Sequence, residues 1–142
     1  MANVNPGDGN KTHWGGETSL TYNGVTFYIS VGAYTYYTTS SANYSYGPRM
    51  RVRRTGSAST SFTLYYSGSL QGQSFTGSIY CPAGGGSGDS IIKQTDTRTV
   101  SGANAQTATI SGTFSWRVTT SGSYVSRNPS SLTLNFSKTR TT

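Results

Sequence analysis

Apolar and polar side chains alternate along most of this chain. Residues 61–66, 113–118 and 131–136 each carry an apolar side chain at every second position, with mainly serine or threonine between. A period of two is that of a β-strand with one buried and one wetted face. No segment repeats apolar residues at helical spacing over three turns. The pattern predicts an all-β fold, an antiparallel β-sandwich of jelly-roll or immunoglobulin-like type with about eight to ten short strands.

The strongest local signal is the dipeptide Asn23-Gly24. Leu20 and Tyr22 before it stay on the same face as Val25 after it if Tyr22 pairs with Val25. Asparagine followed by glycine readily adopts the left-handed conformation that a type I′ turn needs at both central positions. We therefore predict a two-residue β-hairpin here.

Glycine and proline predict where other strands end or bend. We expect Gly47-Pro48 to end a strand, and residues 67–69 to form a three-residue turn with glycine in the left-handed region. Gly77 lies in phase with apolar neighbours, which indicates a bulge or a close backbone contact. A two-residue turn at residues 111–112 would scramble the faces, so a three-residue turn or a continuous bulged strand is predicted.

The chain of 142 residues fits one domain with one core. Residues 1–16 are rich in asparagine and glycine and lack periodicity, so they predict an irregular N-terminal arm ahead of a single sandwich domain at 17–142. Such arms often dock on neighbouring subunits. We therefore expect His13 and Trp14, near the end of this arm, to contact a partner.

Charge is scarce and one-sided. Eleven lysines and arginines face four acids, which leaves a formal net charge of +7. That balance favours anionic partners, although a solvated surface would account for it equally well. Cys81 is the only cysteine, so no intramolecular disulfide can form, and we expect it to be a small buried side chain.

The groups that could support catalysis are few. His13 is the only histidine, and the four acids include Asp89 and Asp96. These two carboxylates could in principle act as a pair in glycoside hydrolysis. Turn formation and surface ion pairing account for them more simply. One cysteine and one histidine do not complete a zinc site. The sequence thus predicts no enzyme, no cofactor and no metal site.

The feature that stands out is a row of arginines. If residues 49–54 form a strand, alternate arginines share one face. Because their like charges repel one another, we expect a partner or the solvent to compensate them. The candidates are an acidic surface on another subunit, a phosphate backbone, or solvent with counter-ions. The predicted partner-binding row consists of Arg49, Arg51 and Arg53, with Arg54 at its end.

Tyrosines near the arginine row suggest a second kind of contact. Their rings could stack on sugar faces or on nucleic-acid bases, unless half of them belong to the core. The absence of lysine clusters disfavours nucleic acid. The candidates for glycan stacking are Tyr34, Tyr36, Tyr44 and Tyr46.

The first ten residues lack the charged and apolar regions of a secretory leader, and no stretch reaches membrane-spanning length. We therefore expect synthesis in a host cytoplasm. With its richness in glycine, serine, threonine and tyrosine, its Asn23-Gly24 hairpin and its polar arm, the chain resembles small all-β virion proteins of tailed bacteriophages.

That resemblance implies a non-enzymatic structural protein, such as a capsid decoration, head-fibre or tail protein, exposed in the virion after release. Its expected partners are other copies of itself, in a homo-oligomer, and a capsid or tail protein. Two alternatives stay open at this point. One is a glycan-binding β-sandwich module, and the other is a pore-forming β-protein.

Overall fold

A computed structural model describes residues 2–85, 87–101 and 106–137. Apart from a 3-10 turn at Pro6–Asp8, its regular structure is entirely β. The strands among these residues are Ala2–Val4 (β1), Lys11–Trp14 (β2), Thr18–Tyr22 (β3), Val25–Thr38 (β4), Asn43–Gly56 (β5), Phe62–Leu70 (β6), Gln73–Cys81 (β7), Gly88–Gln94 (β8), Arg98–Ser101 (β9), Gln106–Ile110 (β10), Gly112–Arg117 (β11), Val125–Ser126 (β12) and Leu132–Phe136 (β13).

The strands form three sheets. In the six-stranded sheet, β4 and β5 pair along their whole length, β2 and β3 flank β4, and β8 and β9 flank β5. A four-stranded sheet has the order β12-β11-β6-β7, and a three-stranded sheet has the order β1-β13-β10. Neighbouring strands are antiparallel except β1 and β13, which are parallel. The predicted all-β, antiparallel sandwich class is confirmed. The expected eight to ten short strands are wrong, because the described residues form thirteen strands, and β4 and β5 have 14 residues each. Among the described residues, no helix could cross a membrane.

One core lies between the sheets. Each sheet contributes its inward face to a single cluster of buried side chains. Burying one large aliphatic or aromatic side chain stabilises a fold by about 1.5–3 kcal/mol, and this core combines aliphatic side chains with phenylalanine and tyrosine rings. Cys81 is fully buried, as predicted. The largest fully buried side chains include Phe27, Ile29, Tyr44, Met50, Leu64, Phe114, Leu134 and Phe136.

The hairpin at Asn23-Gly24 is confirmed. Tyr22 pairs with Val25, and both turn residues have positive φ, 51° at Asn23 and 88° at Gly24. The side-chain amide of Asn23 also donates a hydrogen bond of 2.8 Å to the backbone carbonyl of Thr60. The turn is therefore tied to the segment that leads into β6.

The predicted turn at residues 67–69 is wrong, because β6 runs through them to Leu70. The chain reverses instead at Gln71-Gly72, where φ is 50° and 80°. The Gln71 side chain donates to the Thr109 carbonyl at 3.1 Å and accepts from the Ser111 amide at 2.9 Å. A glutamine at this turn thus ties it to the neighbouring strand connection. Gly68 lies in the middle of β6, where a Cβ would overlap the carbonyl oxygen of Thr113 and meet the Phe75 ring.

Three other boundary expectations resolve as follows. Gly47-Pro48 does not end a strand, since β5 continues through it at the point where its neighbour changes from β8 to β9. A proline is tolerated there because no ladder bond is lost. Gly77 stays in register opposite Tyr66, whose ring occupies the space of a side chain. At residues 111–112 the chain passes from the three-stranded sheet into the four-stranded one without a hairpin.

The predicted irregular arm is largely ordered within this chain. β1 pairs with β13, and β2 pairs with β4. These strands are three and four residues long, too short to show a period, and their partners are distant in sequence. Residues 138–142, which belong to the predicted domain 17–142, lie outside the described residues.

Candidate functional site

The arginine row lies on the outer face of the six-stranded sheet. Arg49, Arg51 and Arg53 are alternate residues of β5, and they lie opposite Gly32, Ser30 and Tyr28 of β4 respectively. Met50 and Val52, which lie between them, are fully buried on the other face. The alternation read from the sequence therefore places the three charges together.

Each arginine of the row lies over an aromatic ring. The Cζ atom lies 4.2 Å from a ring centroid for both Arg51 over Trp14 and Arg53 over Tyr28, and 5.1 Å away for Arg49 over Tyr34. These separations are within the range of cation–π attraction. We call the surface formed by these residues the arginine–aromatic face: Arg49, Arg51, Arg53, Trp14, Tyr28 and Tyr34.

A glycine makes room for the central ring. Trp14 pairs with Gly32, and a Cβ added to Gly32 would overlap both the Trp14 indole and the carbonyl oxygen of His13. An aromatic side chain lying over a strand glycine replaces the packing that the glycine lacks. The position of Trp14, and through it that of Arg51, depends on the absence of a side chain at residue 32.

One carboxylate neutralises part of the charge of the arginine row. Glu17 accepts hydrogen bonds from Arg53 Nε at 3.3 Å and Nη2 at 3.0 Å, and its Oε2 lies 3.9 Å from Arg51 Nη2. The hydrogen bond to Glu17 raises the pKa of the Arg53 guanidinium above its ordinary value. The side chains of Arg51 and Arg53 remain 21% and 36% exposed. Both arginines thus stay within reach of a partner.

The arginine–aromatic face is a packed layer. Ser30 and Ser45 point to this side of the sheet, yet their exposures are only 0% and 7%. The Ser30 hydroxyl and the Arg51 Nε are buried without a hydrogen-bond partner. Large side chains therefore cover the strands here, and the charged groups lie on top of them in fixed positions.

The four candidate tyrosines divide between the two sides of the sheet. Tyr34 and Tyr36 lie on the outer side, with ring centroids 6.0 Å apart. Tyr44 and Tyr46 are on the inner side, in phase with Met50, and are 0% and 7% exposed. As a correction, these two rings are core and cannot stack on a ligand.

The inner tyrosines have contacts typical of a core. Both pack on Phe136, at centroid distances of 5.1 Å for Tyr44 and 5.7 Å for Tyr46. The Tyr44 hydroxyl donates to the Ser137 carbonyl at 3.0 Å, and burial raises the pKa of Tyr44. They hold β5 against β13.

His13 is a structural residue. It is 8% exposed, and its Nε2 lies 3.1 Å from the Thr35 hydroxyl, which itself donates to the Lys11 carbonyl. Because the hydroxyl proton is used there, Nε2 of His13 is the donor to Thr35. Burial, reinforced by Lys11, lowers the pKa of His13. The expected partner contact of His13 is therefore wrong, whereas Trp14 lies on the outer face.

Arg54 leaves the row. It lies opposite Phe27 on the inner side of β5, and its Nη1 is 3.9 Å from Cys81 Sγ. A Cβ at Gly88 would come within 2.7 Å of its guanidinium. Arg54 thus fills a space at the edge of the core. It occupies an even-numbered position of β5, as Met50 and Val52 do, whereas the row occupies odd-numbered positions.

The two acids considered for catalysis take separate positions. Asp89 lies on β8 opposite Arg53, and Asp96 lies between β8 and β9. In the part of the chain that the structure describes, no three histidine, cysteine or acidic side chains form a group that could hold a metal ion. The sequence did not single out Glu17 or Tyr28, because their contacts with β5 join distant positions.

The four-stranded sheet has an outer face of a different kind. We call it the hydroxyl face, because most of its strand residues carry short hydroxyl side chains and none is an acid; Tyr65, Tyr80 and Arg117 lie on the same face. Ser69 and Thr113 hydrogen-bond across it at 2.9 Å. Its defining residues are Thr63, Ser67, Ser69, Ser74, Thr76, Ser78, Thr113 and Ser115.

No protein-family model matches the chain, and no curated protein matches it. An all-β sandwich hosts many unrelated functions. Function must therefore be argued from the two outer faces.

Proposed function

We propose that this protein is a non-enzymatic structural protein that docks through its arginine–aromatic face onto an acidic surface of another protein. The observation that carries the proposal is the set of three guanidinium groups held over rings on one sheet face, with Glu17 shared between two of them. Arginine and aromatic side chains are enriched at protein interfaces.

Pre-organisation supports a docking role. A long arginine side chain normally loses rotamer freedom when it binds, which costs about 0.5–1.5 kcal/mol per side chain. Rings already hold the side chains of this row, so docking would restrict less freedom. Arg49 has no acid within salt-bridge distance among the described residues, which leaves it available for a carboxylate.

The scarcity of acids favours a partner other than a second copy. The chain has four acids, and two of them, Glu17 and Asp89, already lie beside the arginines. Asp8 and Asp96 remain, in separate segments. Two further carboxylates are too few to pair with the three arginines of the row. A capsid or tail protein with an acidic surface fits better, and we extend the proposal to a virion component.

The test is binding to a glutamate-rich peptide, with a single-stranded DNA oligonucleotide and heparin as competing polyanions. The triple variant Arg49→Gln/Arg51→Gln/Arg53→Gln should lose at least ~10-fold in affinity for the peptide, equivalent to about 1.4 kcal/mol. Lys11→Gln/Arg98→Gln/Arg127→Gln removes the same formal charge from exposed positions elsewhere and should retain binding.

Equal losses in the two triple variants would show a bulk charge effect and contradict the proposal. Stronger binding to the DNA or to heparin than to the peptide would show that the face binds phosphate or sulfated sugar instead of an acidic protein. Circular dichroism and urea unfolding of both variants establish that each is folded.

Glycan binding is a second candidate, favoured by one observation. Tyr34 and Tyr36 present neighbouring rings beside the arginine row, 6.0 Å apart and partly exposed. Neighbouring rings can stack on sugar faces, and the planes of these two rings are tilted by 49°. A glycan array would test it, with Tyr36→Ala expected to lose binding. The control is Tyr124→Ala, which removes a 39% exposed ring away from both the arginine–aromatic face and β7.

A further inference from the structure

The outer edge of β7 is unlike the other sheet edges. β7 is nine residues long and pairs only with β6 among the described strands. It contains no charged residue and no proline, and Tyr80 on it is 62% exposed. Open edges present unpaired backbone groups that recruit another strand, so proteins usually guard them with charges, prolines or bulges.

The other edges show such guards or are short. β8 contains Asp89 and Lys93 and has a register irregularity, β9 contains Arg98, and β2 contains Lys11. The remaining edge strands of the described chain, β1, β3, β10 and β12, have two to five residues. β7 is therefore the one long, uncharged edge in the described residues.

The hairpin register fixes which backbone groups point outward. In a two-residue hairpin the residues next to the turn, Leu70 and Gln73, are a hydrogen-bonded pair, and bonding then alternates along the ladder. The residues between direct their N–H and C=O groups away from β6. They are Ser74, Thr76, Ser78 and Tyr80.

We infer that β7 pairs antiparallel with β7 of a second copy, around a two-fold axis at Gly77. This register places Ser74 opposite Tyr80 of the other copy, and Thr76 opposite Ser78. It uses all the outward-directed backbone groups of both strands and joins two four-stranded sheets into one. Strand addition of this kind is a common mode of association.

The chemistry of β7 suits a second copy. Self-pairing places no like charges opposite each other, because the strand has no charge. Hydroxyls of threonine and serine face one another, which is a favourable cross-strand pair. The exposed Tyr80 ring gains a neighbouring strand to cover it. The seam is distinct from the arginine–aromatic face, which lies on the six-stranded sheet.

Sedimentation equilibrium over a range of concentrations tests the seam. The wild-type protein should form a dimer, and Thr76→Lys/Ser78→Lys should weaken it at least ~10-fold by placing lysines opposite lysines. Thr76→Lys/Ser78→Glu should restore it to wild-type strength or better, because each lysine then faces a glutamate. Thr63→Lys/Ser67→Lys introduces two lysines on the interior strand β6 of the same face and should leave the dimer intact.

A wild-type protein that stays monomeric would overturn the inference. So would a Thr76→Lys/Ser78→Lys variant that dimerises normally, or a Thr76→Lys/Ser78→Glu variant that dissociates equally, since that result excludes this register. The arginine triple variant should dimerise as the wild type does, which keeps failure of this inference distinguishable from failure of the docking proposal.

Discussion

The arginine–aromatic face and the hydroxyl face are both outer faces of antiparallel sheets with a two-residue period, yet they are built differently. On the first, Arg51 and Arg53 lie over rings, and Ser30, which lies opposite Arg51, is fully buried. On the second, Thr76 and Ser78 are exposed and short. The first is a packed second layer, and the second consists mainly of short hydroxyl side chains, with larger side chains at Tyr65, Tyr80 and Arg117.

The difference teaches that alternation assigns side chains to a face without deciding what the face does. A layer of long, interlocked side chains has stability and shape of its own, so substitutions there should be costly. Exposed hydroxyls without a hydrogen-bond partner should tolerate substitution, since exposed positions away from special features usually change stability within about 0.5 kcal/mol.

The largest expected effect is at Gly32. Gly32→Ala adds a Cβ that overlaps His13 and Trp14, so we expect a loss of about 2–3 kcal/mol in urea unfolding, as for overpacked sites. Gly47→Ala is the matched control on the same side of the same sheet, where the nearest atom is 3.7 Å away. Equal behaviour of the two variants would show that the Trp14 layer is not packed.

Removing an arginine sharpens the comparison next. Arg51→Ala should lose about 1 kcal/mol of unfolding free energy, because it removes a cation–π contact with Trp14. Ser67→Ala on the hydroxyl face should stay within about 0.5 kcal/mol of the wild type. Urea denaturation of both variants checks this. If Arg51→Ala leaves the unfolding free energy unchanged, the arginine–aromatic face is a solvated surface and not a packed layer.

The free energy of unfolding should depend on pH through His13, which lies on β2 of the six-stranded sheet. Since its pKa is lowered in the folded state, the unfolded state binds a proton more readily, and stability is full above the unfolded pKa of about 6.5. It should fall as pH drops below that value and level off below the folded pKa.

The measurement is the unfolding midpoint at a series of pH values, for the wild type and for His13→Gln. The glutamine amide can still donate to Thr35 but does not titrate. A fall of the same size in His13→Gln would assign the response to the acids instead.

The smallest expected effect has opposite signs on the two faces. Ser30→Ala removes a buried hydroxyl that has no partner and should stabilise the protein by up to about 1 kcal/mol. Ser69→Ala removes a hydroxyl bonded to Thr113 and should cost about 0.5 kcal/mol. Thermal unfolding distinguishes the signs, and a destabilised Ser30→Ala would mean that the hydroxyl has a partner, such as a water molecule.

Much of the fold follows from short-range patterns. Alternation identifies the inner and outer faces of β4, β5, β6 and β13, and the Asn23-Gly24 turn follows from backbone preference alone. The turn at Gln71-Gly72 could not be predicted, because its glutamine is held by contacts with Thr109 of β10 and with Ser111, which joins β10 to β11. Short strands such as β1 and β2 are too brief to show a period.

The candidate site was predictable only in part. The row of Arg49, Arg51 and Arg53 follows from parity within one strand, and the same parity applied through Gly47-Pro48 would have assigned Tyr44 and Tyr46 to the core. Glu17 and Trp14 could not be placed, because their contacts join segments about 36 residues apart. Pairing between distant strands is what a single sequence leaves open.

The parallel pairing of β1 with β13 has a mechanical consequence. Ala2 aligns with Leu134 and Val4 with Phe136, and the Ser137 amide donates to the Val4 carbonyl at 2.9 Å. When the two ends of the chain are pulled apart, parallel terminal strands slide along each other instead of peeling open. Tension is then shared by all the bonds of the pair at once, which makes this small seam resist stretching more strongly than its length suggests.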